Sequence, residues 1–117
     1  MFIRSVAQVL ASALAIFMLT AFATLPPGEF DKPVRIQTKI STIPYMEVDK
    51  VCSWPMRSEE AMGGRIEGCA RVYNAVCYVV LPAIDGVFMT REKYARLLKH
   101  ELAHCNGWPS HHPGAQR

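Results

Sequence analysis

The longest apolar stretch of the chain lies near its N-terminus, where residues 6–23 carry few polar side chains. Arg4 precedes the stretch, and the small residues of Ala21-Phe22-Ala23 end it in the way that signal peptidases require. This pattern predicts a signal peptide over residues 1–23 and an exported protein, periplasmic or secreted, that begins at Thr24. An uncleaved membrane anchor over residues 6–23 is the alternative, because this length is close to the minimum for a spanning helix.

Beyond the apolar stretch, the chain changes to short segments of alternating character. Residues 24–33 are rich in Pro and Gly and predict a linker. Residues 34–40 alternate with the period of two that is typical of a half-buried strand. Residues 66–73 and 75–81 predict two more strands, with a turn at Asn74. If the last strand forms a sheet edge, its free backbone groups can hold an extended peptide by strand addition.

The region between the first two predicted strands lacks this alternation. Pro44 and Pro55 predict a loop. Residues 58–62 predict a short helix, which the following pair Gly63-Gly64 would end.

A longer helix is predicted over residues 90–105, where neither Gly nor Pro interrupts the chain. Thr90 can cap its first turn, Gly107 can end it in the left-handed conformation, and Pro109 prevents its continuation. Apolar residues at helical spacing predict the face that packs on the core: Tyr94, Leu97, Leu98 and Leu102. Three strands and this helix predict an α+β fold, a small sheet packed on one helix, in a single domain over residues 34–117.

Four cysteines predict how so small a domain is stabilised. Cys52, Cys69, Cys77 and Cys105 form an even set in a chain with an export signal, which favours two disulfides in an oxidising compartment. The spacing allows three pairings and does not choose among them. A bridge from Cys105 would fix the end of the predicted helix against the body of the domain.

The charge balance excludes one class of partner. The chain carries a formal net charge of +3, and removal of residues 1–23 takes away Arg4 and no acidic residue, which leaves +2. So small a charge argues against nucleic acid as an obligatory partner. Contact with a membrane is expected only if the N-terminal segment stays uncleaved.

The predicted helix carries the pattern H-E-x-x-H in His100, Glu101 and His104. Residues four apart lie one turn above each other on a helix, so the two imidazoles can share one cation. Glu101, beside the first ligand, can then reach a metal-bound water and take its proton. The spacing therefore predicts a zinc site suited to metal-assisted hydrolysis.

The third metal ligand is predicted by elimination. Catalytic zinc usually has three protein ligands, and beyond Gly107 the chain offers neither Asp, Glu nor Cys. Only His111 and His112 remain, and all four histidines lie in the last eighteen residues. We expect His112 to be the ligand, with His111 as the alternative.

These residues resemble the zincin metallopeptidases. His100 and His104 match the zinc ligands of that family, and Glu101 matches its general base. The segment also resembles H-E-x-x-H-x-x-G-W-x-x-x-H, a variant of small bacterial proteins, onto which Trp108 and His112 fall. The resemblance implies a minimal zincin-like domain and a zinc hydrolase that acts on a peptide or protein substrate.

The chain departs from the better-known zincin branches. Metzincins place a third histidine where this chain has Ser110, and they need a later methionine, whereas Met89 is the last here. Gluzincins need a downstream glutamate, and no acidic residue follows Glu101. The substrate rules of either branch are therefore not carried over.

Two functions follow from these observations. The first is a small exported zinc-dependent metallopeptidase in which Glu101 acts as general base. The alternative is a non-catalytic, zinc-stabilised binding or interaction module of the cell envelope, with an envelope protein as its partner. Glu101 discriminates between them, because a purely structural zinc site does not need this carboxylate.

Overall fold

The computed structural model describes residues 23–53 and 65–117. Nearly all of the predicted signal peptide, and the short helix predicted over residues 58–62, lie outside the described residues. Within them, the structure is a small α+β domain of three strands and two helices, as the sequence predicts.

The three strands form one mixed sheet. The strands β1 (Gln37–Ile43), β2 (Cys69–Tyr73) and β3 (Val76–Pro82) lie in the order β1-β3-β2. β1 runs parallel to β3, and β2 runs antiparallel to it. Asn74 and Ala75 both adopt positive φ, 48° and 59°, and form the tight turn between β2 and β3.

The first strand begins three residues later than the alternation of residues 34–40 predicts. Val34 and Ile36 are partly buried and pack against the core before any pairing with β3 begins. Alternation reports which side chains are buried rather than which backbone groups are paired, so it placed the strand too early.

The third strand lies in the middle of the described sheet. Cys77, Val79 and Leu81 point to one face and are essentially inaccessible, at 0–1% exposure. Val80 points to the other face and packs against a smaller apolar cluster, called the second apolar cluster here, which is formed by Val48, Cys52 and Ile66. The idea that this strand is a sheet edge is therefore wrong, and β1 and β2 form the edges of the described sheet.

A helix, α1 (Tyr45–Ser53), occupies the region that Pro44 led us to predict as a loop. Pro44 lies just before the first helical turn, where its missing N–H costs nothing because the first N–H groups of a helix have no intrahelical partner. Val48 and Cys52, one turn apart, are buried and form the second apolar cluster with Ile66. The four-residue spacing of these two apolar residues was the signal for a helix.

The predicted long helix is confirmed as α2 (Arg91–Cys105). Thr90 caps its start, since its hydroxyl accepts a hydrogen bond from the Lys93 amide. Its buried residue Leu97 belongs to the larger apolar cluster, called the sheet-side core here, with Cys77, Val79, Leu81, Met89 and Cys105. Tyr94, Leu98 and Leu102 are partly buried and pack against this core. The helical apolar face was thus correctly predicted.

Two disulfides tie the helices to the sheet. Cys52 of α1 is bonded to Cys69 of β2, and Cys77 of β3 is bonded to Cys105 of α2. The second bond fixes the last turn of α2 to the central strand. Two disulfides are compatible with an extracellular location. Within residues 23–53 and 65–117, no helix has the length and apolar character that crossing a bilayer requires.

Candidate metal centre

Three histidines converge at the end of α2. The Nε2 atoms of His100 and His104 lie 3.4 Å apart, and the Nε2 atom of His112 lies 3.0 Å from the first and 3.2 Å from the second. Two zinc–nitrogen bonds of 2.0–2.1 Å at a tetrahedral angle separate their nitrogens by about 3.3 Å. The three nitrogens therefore have the spacing that one tetrahedral ion requires.

The hydrogen bonds on the other ring nitrogens fix which atoms face the centre. Nδ1 of His100 lies 2.7 Å from the carbonyl oxygen of Thr24, and Nδ1 of His104 lies 2.7 Å from that of Trp108. A carbonyl oxygen only accepts, so each Nδ1 carries the proton, and the Nε2 of each neutral ring is left with a lone pair. Two lone pairs that face each other at 3.4 Å repel, and a shared cation removes the repulsion.

Burial holds these rings in the neutral form that binds metal. The pKa of His100 is lowered from 6.5 to about 4, chiefly because burial disfavours the imidazolium. Burial, followed by the charges of the neighbouring histidines, likewise lowers the pKa of His112 to about 4. The pKa of His104 is also lowered by burial. At neutral pH all three ring systems are therefore ready to accept a cation without first losing a proton.

The turn after α2 brings His112 back to the helix. Gly107 adopts φ +94°, its amide donates to the His104 carbonyl, and the Trp108 amide donates to the Ala103 carbonyl. These two bonds form the Schellman motif that ends many helices, as the predicted glycine stop requires. His112 itself adopts a positive φ of +58°, the left-handed conformation that residues in tight turns adopt.

Trp108 is the packing centre of this loop. It is only 2% exposed, and its ring stacks on His104 at 5.0 Å while its indole N–H donates to the Pro113 carbonyl. Its ring also contacts His100 and His112 edge-on. Trp108 therefore holds the turn and forms one wall of the histidine cluster.

His111, the alternative third ligand, is exposed and lies outside the cluster. Among the residues that the structure describes, the group that could hold a metal consists of His100, His104 and His112, and it includes the expected third ligand. All four cysteines are in disulfides, so none of them contributes a thiolate.

Glu101 faces the sheet rather than solvent. It lies one helical turn from Leu97 and one from Cys105, both of which pack on the sheet-side core, and it is 3% exposed. Its Oε1 atom is 3.4 Å from the point that a β-carbon on Gly68 would occupy. The carboxylate thus lies against the residue that precedes the edge strand β2.

The segment of residues 24–33, which the sequence predicted as a linker, lies along α2. Besides the Thr24 carbonyl at His100, the carbonyls of Phe30 and Lys32 accept hydrogen bonds from the Asn106 side chain. Sequence reasoning missed this contribution because the acceptors are backbone carbonyls, which every residue type carries. No sequence signal identifies such partners.

No family model matches this chain, and neither a curated protein nor a solved structure shows a significant match to it.

Proposed function

We propose that this protein is a small exported zinc-dependent hydrolase of the metallopeptidase class. The observation that carries the proposal is the convergence of the Nε2 atoms of His100, His104 and His112 within 3.0–3.4 Å of one another. Three imidazoles favour zinc among the common divalent metals. Three protein ligands also leave a fourth tetrahedral position for water or substrate, which is the composition of catalytic rather than structural zinc sites.

The chemistry assigned to the site follows from its donor set. Zinc held there would lower the pKa of a bound water to about 7 and polarise a substrate carbonyl. Glu101 follows His100 directly in the helix. We assign two steps to its buried carboxylate: it takes a proton from the attacking water, and it later gives that proton to the leaving amine. The Thr24 and Trp108 carbonyls keep His100 and His104 oriented, as acceptors behind metal-bound histidines do.

Metal content tests the first step of this proposal. We expect about one zinc per chain in the purified protein and none in the His100→Ala/His104→Ala variant. His112→Ala should lower the zinc affinity by at least tenfold, whereas the matched His111→Ala should leave it unchanged. An equal loss in both single variants would contradict the assigned ligand set.

Hydrolysis of a broad peptide library tests the second step. Glu101→Gln should abolish zinc-dependent cleavage while zinc content stays at one per chain, because the amide keeps the shape of the carboxylate but cannot take a proton. Glu92→Gln, an exposed carboxylate in the first turn of the same helix, is the matched control and should retain activity. Cleavage that survives Glu101→Gln would remove the general base from the proposal.

A second function, a non-catalytic zinc-stabilised module of the envelope, is favoured by the burial of Glu101. A carboxylate that is 3% exposed and lies against Gly68 is placed to join α2 to the sheet. Under this function, Glu101→Gln would lower the free energy of unfolding, and the wild-type protein would cleave no peptide. Peptide cleavage and unfolding free energy, both measured for Glu101→Gln beside Glu92→Gln, therefore separate the two functions.

A further inference from the structure

The segment of residues 23–32, called the strap here, packs along α2 next to the histidine cluster. Its first residue, Ala23, which is also the last residue of the predicted signal peptide, accepts a hydrogen bond from Arg96. Its second residue, Thr24, accepts a hydrogen bond from His100. Farther along, Asp31 forms an ion pair with Lys99 at 3.0 Å. The strap thus contacts α2 over more than two helical turns, from Arg96 to the residue that caps its end, Asn106.

The strap also pairs with the tail that carries His112. Leu25 and Gln116 exchange two backbone hydrogen bonds, with N···O distances of 2.6 Å and 2.8 Å. Gly114 packs on Pro27, since a β-carbon there would lie 3.3 Å from the proline ring. The strap and the tail that carries His112 are therefore joined by an isolated antiparallel bridge and by this packing contact.

From these contacts we infer that docking of the strap and metal binding by the histidine cluster favour each other, so that the N-terminal strap sets the metal affinity of the site. The inference rests on the proposed metal site. One link runs through His100, since a cation on Nε2 makes the Nδ1–H a stronger donor to the Thr24 carbonyl. The other link runs through His112, since its ligation fixes the tail on which the strap pairs.

The coupling has a direct consequence for export. Thr24 is the residue at which the sequence predicts the exported chain to begin, and its carbonyl is the acceptor for His100. Any state of the N-terminal segment that pulls the strap away from α2 would therefore weaken metal binding. By thermodynamic reciprocity, metal would hold the strap in place by the same factor.

Hydrogen exchange of the full-length protein, with zinc or with a chelator, tests this coupling at individual amides. Zinc should slow exchange of the Leu25 and Gln116 amides by at least tenfold. The Val79 amide of the central strand should change much less and serves as the internal control. If zinc binds but the Leu25 amide exchanges at the same rate with and without it, the coupling is disproved and the metal site stands. The metal content of the protein is measured before the exchange experiment. If no zinc binds, the proposed function itself fails.

Variants that leave the three histidines intact test the reciprocal direction. Asn106→Asp removes the donor to the Phe30 and Lys32 carbonyls and should weaken zinc binding by about tenfold, in the range of other outer contacts of metal sites. Asp31→Lys breaks the exposed ion pair with Lys99 and should weaken zinc binding about two- to fivefold. The charge swap Asp31→Lys/Lys99→Asp should restore the affinity. Unchanged zinc affinity in both Asn106→Asp and Asp31→Lys would overturn the inference.

Discussion

His104 donates its Nδ1–H to the carbonyl of Trp108, at 2.7 Å, while the indole ring of the same tryptophan stacks on the imidazole at 5.0 Å. One residue therefore fixes the tautomer of this ring through its backbone and the ring plane through its side chain. The arrangement is possible because Gly107, just beyond the end of α2, turns the chain so that Trp108 folds back over the last helical turn.

The indole of Trp108 is expected to contribute most of the packing of this loop. Trp108→Ala should lower the free energy of unfolding by about 3–5 kcal/mol, because it empties a buried site. Trp108→Phe keeps an aromatic face toward His104 and loses the hydrogen bond to Pro113, so its effect should be smaller, about 1–2 kcal/mol. Chemical denaturation of both variants with a chelator present measures this. Equal losses would show that the ring contributes less than its N–H.

Acid should destabilise the metal-free protein between pH 6.5 and about 4. The pKa of His100 lies near 4 in the folded chain and near 6.5 when unfolded, so above pH 6.5 the ring is neutral in both states. As the pH falls below 6.5, the unfolded chain takes up the proton first, and the free energy of unfolding falls by about 3 kcal/mol by pH 4.

Denaturation as a function of pH, with a chelator present, tests the role of His100. The variant His100→Gln lacks the titrating group, so the slope between pH 6.5 and 4 should be clearly smaller than in the wild type. The same slope in both proteins would assign the acid sensitivity to other groups.

The two disulfides should differ in their effect on metal binding but not on stability. They close loops with sequence separations of 17 and 28, which changes the expected stabilisation by less than about 0.5 kcal/mol. Each paired Cys→Ala replacement should therefore cost about 2–4 kcal/mol. Only the Cys77/Cys105 pair is expected to reduce zinc affinity, because Cys105 follows His104 directly. Zinc competition titrations compare the two variants, and an equal change in affinity would contradict this prediction.

A side chain at Gly68 is expected to destabilise the fold. A β-carbon there would lie 3.2 Å from the Val80 carbonyl oxygen and 3.4 Å from Oε1 of Glu101. Gly68→Ala should thus cost about 1–3 kcal/mol of unfolding free energy, as overpacking does elsewhere. Gly28→Ala, where a β-carbon meets nothing within 4 Å, is the control and should be nearly neutral. A neutral Gly68→Ala would mean that the Glu101 carboxylate is not held against this residue.

Local sequence patterns were sufficient for the elements that depend on neighbouring residues. The cap at Thr90, the stop at Gly107 and the apolar spacing from Tyr94 to Leu102 predicted α2 correctly, because helix signals are contained within a few turns. The alternation around Asn74 predicted the β2–β3 turn for the same reason. The nine-residue helix α1 was missed because Pro44 outweighed the spacing of Val48 and Cys52.

The sequence by itself determined the fold class, the presence of two disulfides and the two histidines that α2 contributes to the cluster. These follow from residue types and short spacings, since H-E-x-x-H places His100 and His104 on one helical face wherever the helix lies. Only the tertiary structure decided the pairing of the cysteines, the central position of β3, the choice of His112 over His111, and the backbone acceptors at Thr24 and Trp108. Each of these depends on chain segments far apart in sequence, or on backbone atoms that all residues share, so no local pattern encodes it.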